Sequence, residues 1–419
     1  MVTTLNSVEE LDFRRYLRVG DGVLWAQACA EPLTLVNRLI SRPWAEDLSA
    51  FLGIPVAGLI HPEHAALLRF TSYTGAGANS ALHEANAADL LPAHYSSLPD
   101  LLRADVVLLQ LSPPDSGGRY SLGLARDYVA DVLPKARVII GEVNPAVPWT
   151  YGGPALTADD LTVVVPSRHA PAEYPVTEPT AVHKAIAANV AELIEDGATL
   201  QVGIGSLAQA VLAGLTGRRQ LGVHSGLLPE ALVDLMEQGV VTGERKSVDR
   251  GVAVGGILLG GDRLFRYAHR NERILLRETS YTHDPDVLAA QEKLVALNSA
   301  IEVDLTGAVN AEVARGRYVG SVGGAVDFLR GAARSRGGVP VIMLPSRAGP
   351  VSRVVAKLTG PVSTPRSDAG VVVTEHGIAD LRGLSLRQRA ERMIAIAAPE
   401  ARAELDEVTE AALAAAKGV

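Results

Sequence analysis

The sequence predicts an α/β protein with mainly parallel sheets. Two observations carry that expectation. The first is a set of short aliphatic runs, Val106–Leu111 (VVLLQL), Ala136–Ile140 (ARVII), Leu161–Val165 (LTVVV), Val339–Leu344 (VPVIML) and Gly370–Thr374 (GVVVT). Continuous runs of this kind suit strands covered on both faces, where polar–apolar alternation is not needed. The second is that helix-period stretches lie between them. In Thr180–Ile194 the residues Val182, Ile186, Val190, Leu193 and Ile194 fall near one helical face. Strands alternating with helices build layered α/β domains.

The chain has 419 residues, enough for two or three domains. It is 47% hydrophobic but only 4% aromatic, so its cores must be built from Ala, Val, Leu and Ile. Four prolines fall within Pro166–Pro179 (PSRHAPAEYPVTEP), which excludes a helix or a central strand there. The expected organisation is therefore a first domain over 1–165, a linker over 166–180 and a second domain over 181–419. Gly20–Ile40 and Glu195–Leu215 share an order of acidic residue, glycine, short strand, small-residue turn and amphipathic helix. Duplication explains the likeness, and so does the way α/β domains commonly begin.

The formal net charge of −8 argues against nucleic acid as a partner, because phosphate backbones need a basic face. The N-terminal stretch has acidic residues and no apolar segment of the secretory type, and no long apolar run suggests a membrane span. A lone cysteine, Cys29, rules out an internal disulfide and a cysteine-based zinc site. A cytoplasmic protein is expected.

Several turns could carry chemistry. Gly203 and Gly205 sit between a strand and a helix, where backbone N–H groups can approach a ligand; a tight strand-to-helix turn accounts for them as well. Val322, Gly323 and Gly324 precede another helical stretch, with Arg317, Arg330, Arg334 and Arg336 nearby. Small residues there would admit a thioester arm, and their N–H groups could stabilise an oxyanion; the alternative is a glycine turn with solvated arginines. Ser112-Pro113-Pro114-Asp115 turns the chain at the carboxyl end of a strand, the side on which open α/β sheets bind ligands. Glu375, His376 and Arg382 cluster after another strand, and a Glu375–Arg382 ion pair is expected there; Glu–His alone is no zinc motif. His224-Ser225-Gly226 follows Gln220–Val223 and precedes a helix expected to begin near Pro229. It lacks the glycines of a hydrolase elbow.

Together these segments resemble the acetyl-CoA hydrolase/acetate-type CoA-transferase family, including its 4-hydroxybutyrate CoA-transferases. The resemblance is carried by SPPD with SLG (Ser112–Gly123), GIG (Gly203–Gly205), LGVHS with VDL and GVVT (Leu221–Thr242) and NSAIEVDLTG (Asn298–Gly307). It continues through VGGAVDF (Val322–Phe328), PSRAG with SRVV (Pro345–Val355) and VTEHGIADLRG through RQRA (Val373–Ala390). It implies two related CoA-transferase-like domains with the active site between them, coenzyme A or acyl-CoA as substrate, a small acceptor and a homodimer. In the family a glutamate attacks the acyl-CoA, and a glutamyl–CoA thioester follows.

This chain departs from that pattern. Where the family has His, then Ser or Thr, then the attacking glutamate, the chain reads His224-Ser225-Gly226. Glycine cannot be acylated. Two lesser departures are Ser321 and Ala325, where the family often has glycine and glutamine or serine. The reading that follows is direct transfer of the acyl group from CoA to a small acceptor or water. His224, Ser225, Glu230 and Glu375 are the candidates to position or deprotonate that acceptor, and Gly203, Gly205, Gly226, Val322, Gly323 and Gly324 are the candidates to bind substrate. The alternatives are a CoA-transferase that uses a displaced carboxylate, and a non-catalytic acyl-CoA-binding relative.

Overall fold

The computed structural model describes residues 2–417. The chain forms two compact units, and each is assembled from three stretches. The first comprises Met1–Pro175, His224–Val233 and Val252–Asp284; the second comprises Val176–Val223, Asp234–Gly251 and Pro285–Val419. The first unit thus ends inside the proline-rich stretch and takes in two later pieces of chain.

The first unit is built on an eight-stranded sheet. Its strands are β1 (Thr3–Thr4), β2 (Gly22–Trp25), β3 (Ser49–Leu52), β4 (Arg69–Ser72), β5 (Ala88–Leu90), β6 (Val106–Leu111), β7 (Val138–Val143) and β8 (Val163–Pro166), in the spatial order 1-8-7-6-2-3-4-5. All pairs are parallel. From β2 the chain works outward to β5, then returns to lay β6 on the other side of β2 and works outward again. The order reverses between β2 and β6, the place in open α/β sheets where ligands commonly bind.

The second unit carries a six-stranded sheet in the order Gly222–Val223, Thr199–Val202, Leu294–Ser299, Val339–Met343, Val371–Thr374, Gly377–Asp380. It is parallel except for the last pair, a tight hairpin turned at Glu375 and His376. Its core joins Leu294, Ala296, Ile342 and Val372 to Phe328, Leu329 and Met393 from the helices Ala325–Arg334 and Leu386–Ile396.

The aliphatic runs form strands because every residue of β6 is buried on one face or the other. Boundaries shift where turn chemistry intervenes. β7 begins at Val138 rather than Ala136, because Leu133–Lys135 closes a 3₁₀ turn with Ala136 N–H donating to Leu133 O at 3.1 Å. β8 begins at Val163, after a turn capped reciprocally by Thr157 and Asp160. The helix expected near Pro229 begins at Ala231, and Leu227–Pro229 is a strand paired in parallel with Ile257–Leu259. Local sequence could not show that strand, since its partner lies thirty residues downstream.

With so few aromatic rings, central aliphatic side chains bear the packing. Leu108 lies in the middle of β6, is fully buried, and stands between Trp25 of β2 and Ile140 of β7 in the first unit's core. Leu108→Ala is expected to lower stability by about 3 kcal/mol through lost transfer energy and the cavity left behind. Urea midpoints followed by circular dichroism measure it.

Candidate functional site

The His224-Ser225-Gly226 turn lies in the first unit, where it is stitched to the segment Val254–Leu259. Ser225 N–H donates to Val254 O at 3.0 Å, and Gly226 O accepts from Gly256 N–H at 3.0 Å and from Ile257 N–H at 3.3 Å. Gly256 O in turn accepts from Arg126 N–H at 2.8 Å and Asp127 N–H at 3.3 Å. A β-carbon on Gly256 would stand 2.8 Å from Gly226 O and 3.3 Å from the β-carbon of Asp127. Only glycine fits there without displacing the backbone.

His224 and Ser225 are fully buried. His224 Nε2 lies 3.1 Å from Thr282 O. A carbonyl only accepts, so Nε2 carries a proton and donates it to Thr282 O. Below it, His283 Nδ1 lies 2.9 Å from Thr282 Oγ1, and its ring packs on Tyr95 with centroids 4.8 Å apart. Burial, with His224 beside it, pushes His283 down to about 3. Gly226 is half-buried. Glu230, at the far end of the strand Leu227–Pro229, accepts from Gly261 N–H at 2.6 Å and fills the space a Gly260 side chain would need.

Sequence reasoning missed the group behind this turn. Asp127 is fully buried and accepts from Gln27 Nε2 at 2.8 Å, Tyr95 OH at 3.0 Å and Val129 N–H at 3.1 Å. Gln27 also accepts from Tyr73 OH at 3.0 Å and Ile54 N–H at 2.8 Å. The available signal was a carboxylate beside a tyrosine, Asp127-Tyr128, directly after the SLG run. Burial pushes the Asp127 carboxyl up to about 6, against the hydrogen bonds from Gln27, Val129 and Tyr95.

The remaining candidates belong to the second unit. Gly203 and Gly205 stand between the strand Thr199–Val202 and the helix Ser206–Ala213; Gly205 has φ +95° and open space where a side chain would be. Val322, Gly323 and Gly324 lead into the helix Ala325–Arg334, with Gly323 at φ +54°. Glu375 accepts from Ser346 through both oxygens, from N–H at 2.8 Å and from Oγ at 2.7 Å. Burial alone would raise the Glu375 carboxyl, but the two bonds from Ser346, with its own backbone N–H and the neighbouring His376, hold it below its ordinary value.

The expected Glu375–Arg382 pair does not form. Arg382 pairs with Asp380 at 2.7 Å. Asp380 and Arg382 share the end of the hairpin strand, whereas Glu375 sits at its turn, where Ser346 reaches it. Among the described residues no group of three or more His, Cys, Asp or Glu side chains is placed to hold a metal ion, and no helix is long and apolar enough to cross a membrane.

Residues 260–409 match the family model described as the acetyl-CoA hydrolase/transferase C-terminal domain. The 4-hydroxybutyrate coenzyme A transferase of Clostridium kluyveri is 34% identical over 91% of this chain and 92% of its own. The crystal structure of RipA from Yersinia pestis superposes with a TM-score of 0.92 at 31% identity, covering 97% of both chains. That of 4-hydroxybutyrate CoA-transferase from Porphyromonas gingivalis gives 0.80 at 28% identity, covering 97% of this chain and 96% of the other.

Asp127 gives this region a measurable pH dependence. Its folded-state value lies above the ordinary carboxylate value, so the native state keeps a proton that the unfolded chain has lost. The stability from that difference is fully present below about pH 4 and is lost as pH rises towards 6. Asp127→Asn removes it. The stability of the variant relative to the native protein should therefore improve by roughly 2–3 kcal/mol between pH 4 and pH 7, read from urea midpoints. A constant difference across that range would place the proton elsewhere.

Proposed function

The chain belongs to the acetyl-CoA hydrolase/CoA-transferase family, and from that premise we propose that it passes the acyl group of an acyl-CoA directly to a small acceptor or water, with no glutamyl–CoA thioester on the path. The observation that carries this reading is Gly226. It stands where the family resemblance puts the attacking glutamate, and it has no side chain to acylate.

The two candidate carboxylates, Glu230 and Glu375, are each held by local hydrogen bonds, which does not favour a displaced nucleophile. Glu230 is committed to Gly261 N–H, and Glu375 is committed through both oxygens to Ser346. In this reading the acceptor's oxygen or nitrogen lone pair attacks the thioester carbon, the C–S bond breaks, and the CoA thiolate takes up the proton the acceptor gives off. N–H groups of the glycine turns Gly203–Gly205 and Val322–Gly324 are the proposed contacts for the CoA arm and the developing oxyanion. His224, Ser225 and Glu230 act as positioning residues that hold the turn at Gly226. Glu375 orders its own loop.

Trapping distinguishes this reading from conventional CoA transfer. After incubation with acetyl-CoA and borohydride reduction, mass spectrometry of the native protein should find no reduced glutamate. A reduced glutamate, at position 230, 375 or any other, would return the protein to ordinary CoA transfer. Gly226→Glu should form the trappable thioester. Its turnover is expected to be poor, since a misplacement of about 1 Å can cost ~100-fold. Gly324→Trp should abolish binding of CoA in calorimetric titration while leaving the far-ultraviolet spectrum unchanged.

A further inference from the structure

In the second unit the strands Val339–Met343 and Val371–Thr374 run parallel side by side, and the loops leaving their carboxyl ends meet at Ser346 and Glu375. Open α/β sheets bind ligands on that side. Arg353 returns to the same place. Its N–H donates to Ser346 O at 2.9 Å, and its O accepts from Val303 N–H at 2.8 Å. The hairpin leading into it is exposed at Gly349, Pro350 and Val351, so the loop is reached from the surface.

The Arg353 side chain is half-buried and has no partner. Among the described residues it makes no ion pair, and its guanidinium donates no hydrogen bond. Its Nε is sealed from solvent as well as unpaired. Glu375 attracts it through space, but Ser346 N–H and Oγ already hold both Glu375 oxygens, at 2.8 and 2.7 Å. Arg330, Arg334, Arg336 and Arg382 of the same unit are more exposed, and each has a carboxylate, from Asp368, Asp286, Glu292 and Asp380. Water alone would satisfy those four. Arg353 is partly out of water, so it has the greater need of a partner. Backbone bonds on both sides fix its place in the loop.

We infer that Arg353 is a docking point for an oxyanion, the carboxylate or phosphate group of a small molecule bound at the carboxyl ends of these two strands. A guanidinium is planar, permanently charged and shaped to match two oxygens of either group. The terminal nitrogens make the first contact. Nε joins them when the guanidinium turns outward, and its missing partner is then supplied. Glu375 keeps its two Ser346 donors, so the guest competes with it for no hydrogen bond. The site stands whether or not a glutamyl thioester forms. Only its source rests on the acyl-CoA reading: CoA carries phosphates, and a carboxylic acid is one kind of small acceptor.

The test compares the native protein with Arg353→Gln and Arg353→Lys by calorimetric titration of CoA, 3′-dephospho-CoA and acetate. At least one of these should bind about tenfold more weakly to Arg353→Gln, with part of the affinity kept by the lysine variant, which has the charge without the fork. Loss for CoA alone identifies the 3′-phosphate, loss for both nucleotides the diphosphate, and loss for acetate the acceptor's carboxylate. Arg330→Gln removes a paired, exposed arginine of the same unit and should leave all three affinities unchanged. Affinities that stay within about twofold of native in a folded Arg353→Gln variant overturn the inference, even if that variant is less stable. Should it fail to fold, unchanged affinities in Arg353→Lys overturn it equally. If the native protein binds none of the three, the acyl-CoA reading fails and the site is tested with inorganic phosphate. Phosphate should then raise the native thermal midpoint above that in chloride of equal ionic strength, and an equal rise in Arg353→Gln, or none in the native protein, overturns the inference.

Discussion

The first unit's site depends on one close backbone approach. Gly256 donates its N–H to Gly226 O and receives two N–H groups from Arg126 and Asp127, so one peptide segment joins three stretches of chain far apart in sequence. Any side chain at position 256 would push into Gly226 O. The position of the His224–Gly226 turn, the seat of Asp127 and the strand pairing of Leu227–Pro229 with Ile257–Leu259 all follow from that contact. Buried backbone groups must find partners, and here they find one another across the site.

A second constraint is the handling of buried charge. Asp127, Glu31 and Glu142 are all buried in the first unit, and burial pushes the latter two up to about 7. Each is held by donors that are themselves fixed: Glu31 by two successive N–H groups, Glu142 by Leu35 N–H at 3.0 Å, and Asp127 by Gln27, Tyr95 and Val129. None is paired with a cation through these bonds. Hydrogen bonds hold the carboxyls in place while desolvation favours their neutral forms.

The α/β class and most strands were legible in the sequence because a strand buried on both faces leaves a run such as VVLLQL that few other structures require. Helix Ala181–Glu192 was legible from its spacing. What could not be read locally was anything made by distant pairing. The strand at Leu227–Pro229 exists only because Ile257–Leu259 lies beside it, and Asp127 acquires its surroundings only when Gln27, Tyr73 and Tyr95 converge. The candidate turns at Gly203 and Gly323 were visible because glycine clusters mark them, and Gly226 because the flanking residues resemble the family pattern. The Glu375–Arg382 expectation failed for the same reason as the missed strand: sequence proximity offered Arg382 two carboxylates, and hairpin geometry brought it to Asp380.

The way the two units share the chain has a consequence for how the protein is made. The sheet β1–β8 is complete once Pro166 has been synthesised, yet Leu124 O still awaits Leu258 N–H, and Asp127 N–H still awaits Gly256 O. At ordinary elongation rates the wait is roughly ten seconds. Throughout it the backbone groups Leu124 O, Arg126 N–H and Asp127 N–H lack the partners they have in the finished fold. The chain also cannot be cut near residue 175 into two pieces that each hold a whole unit, because the first unit's final segments arrive after a large part of the second. Its assembly is therefore interleaved, and a chaperone that shelters an incomplete first unit would act during that interval.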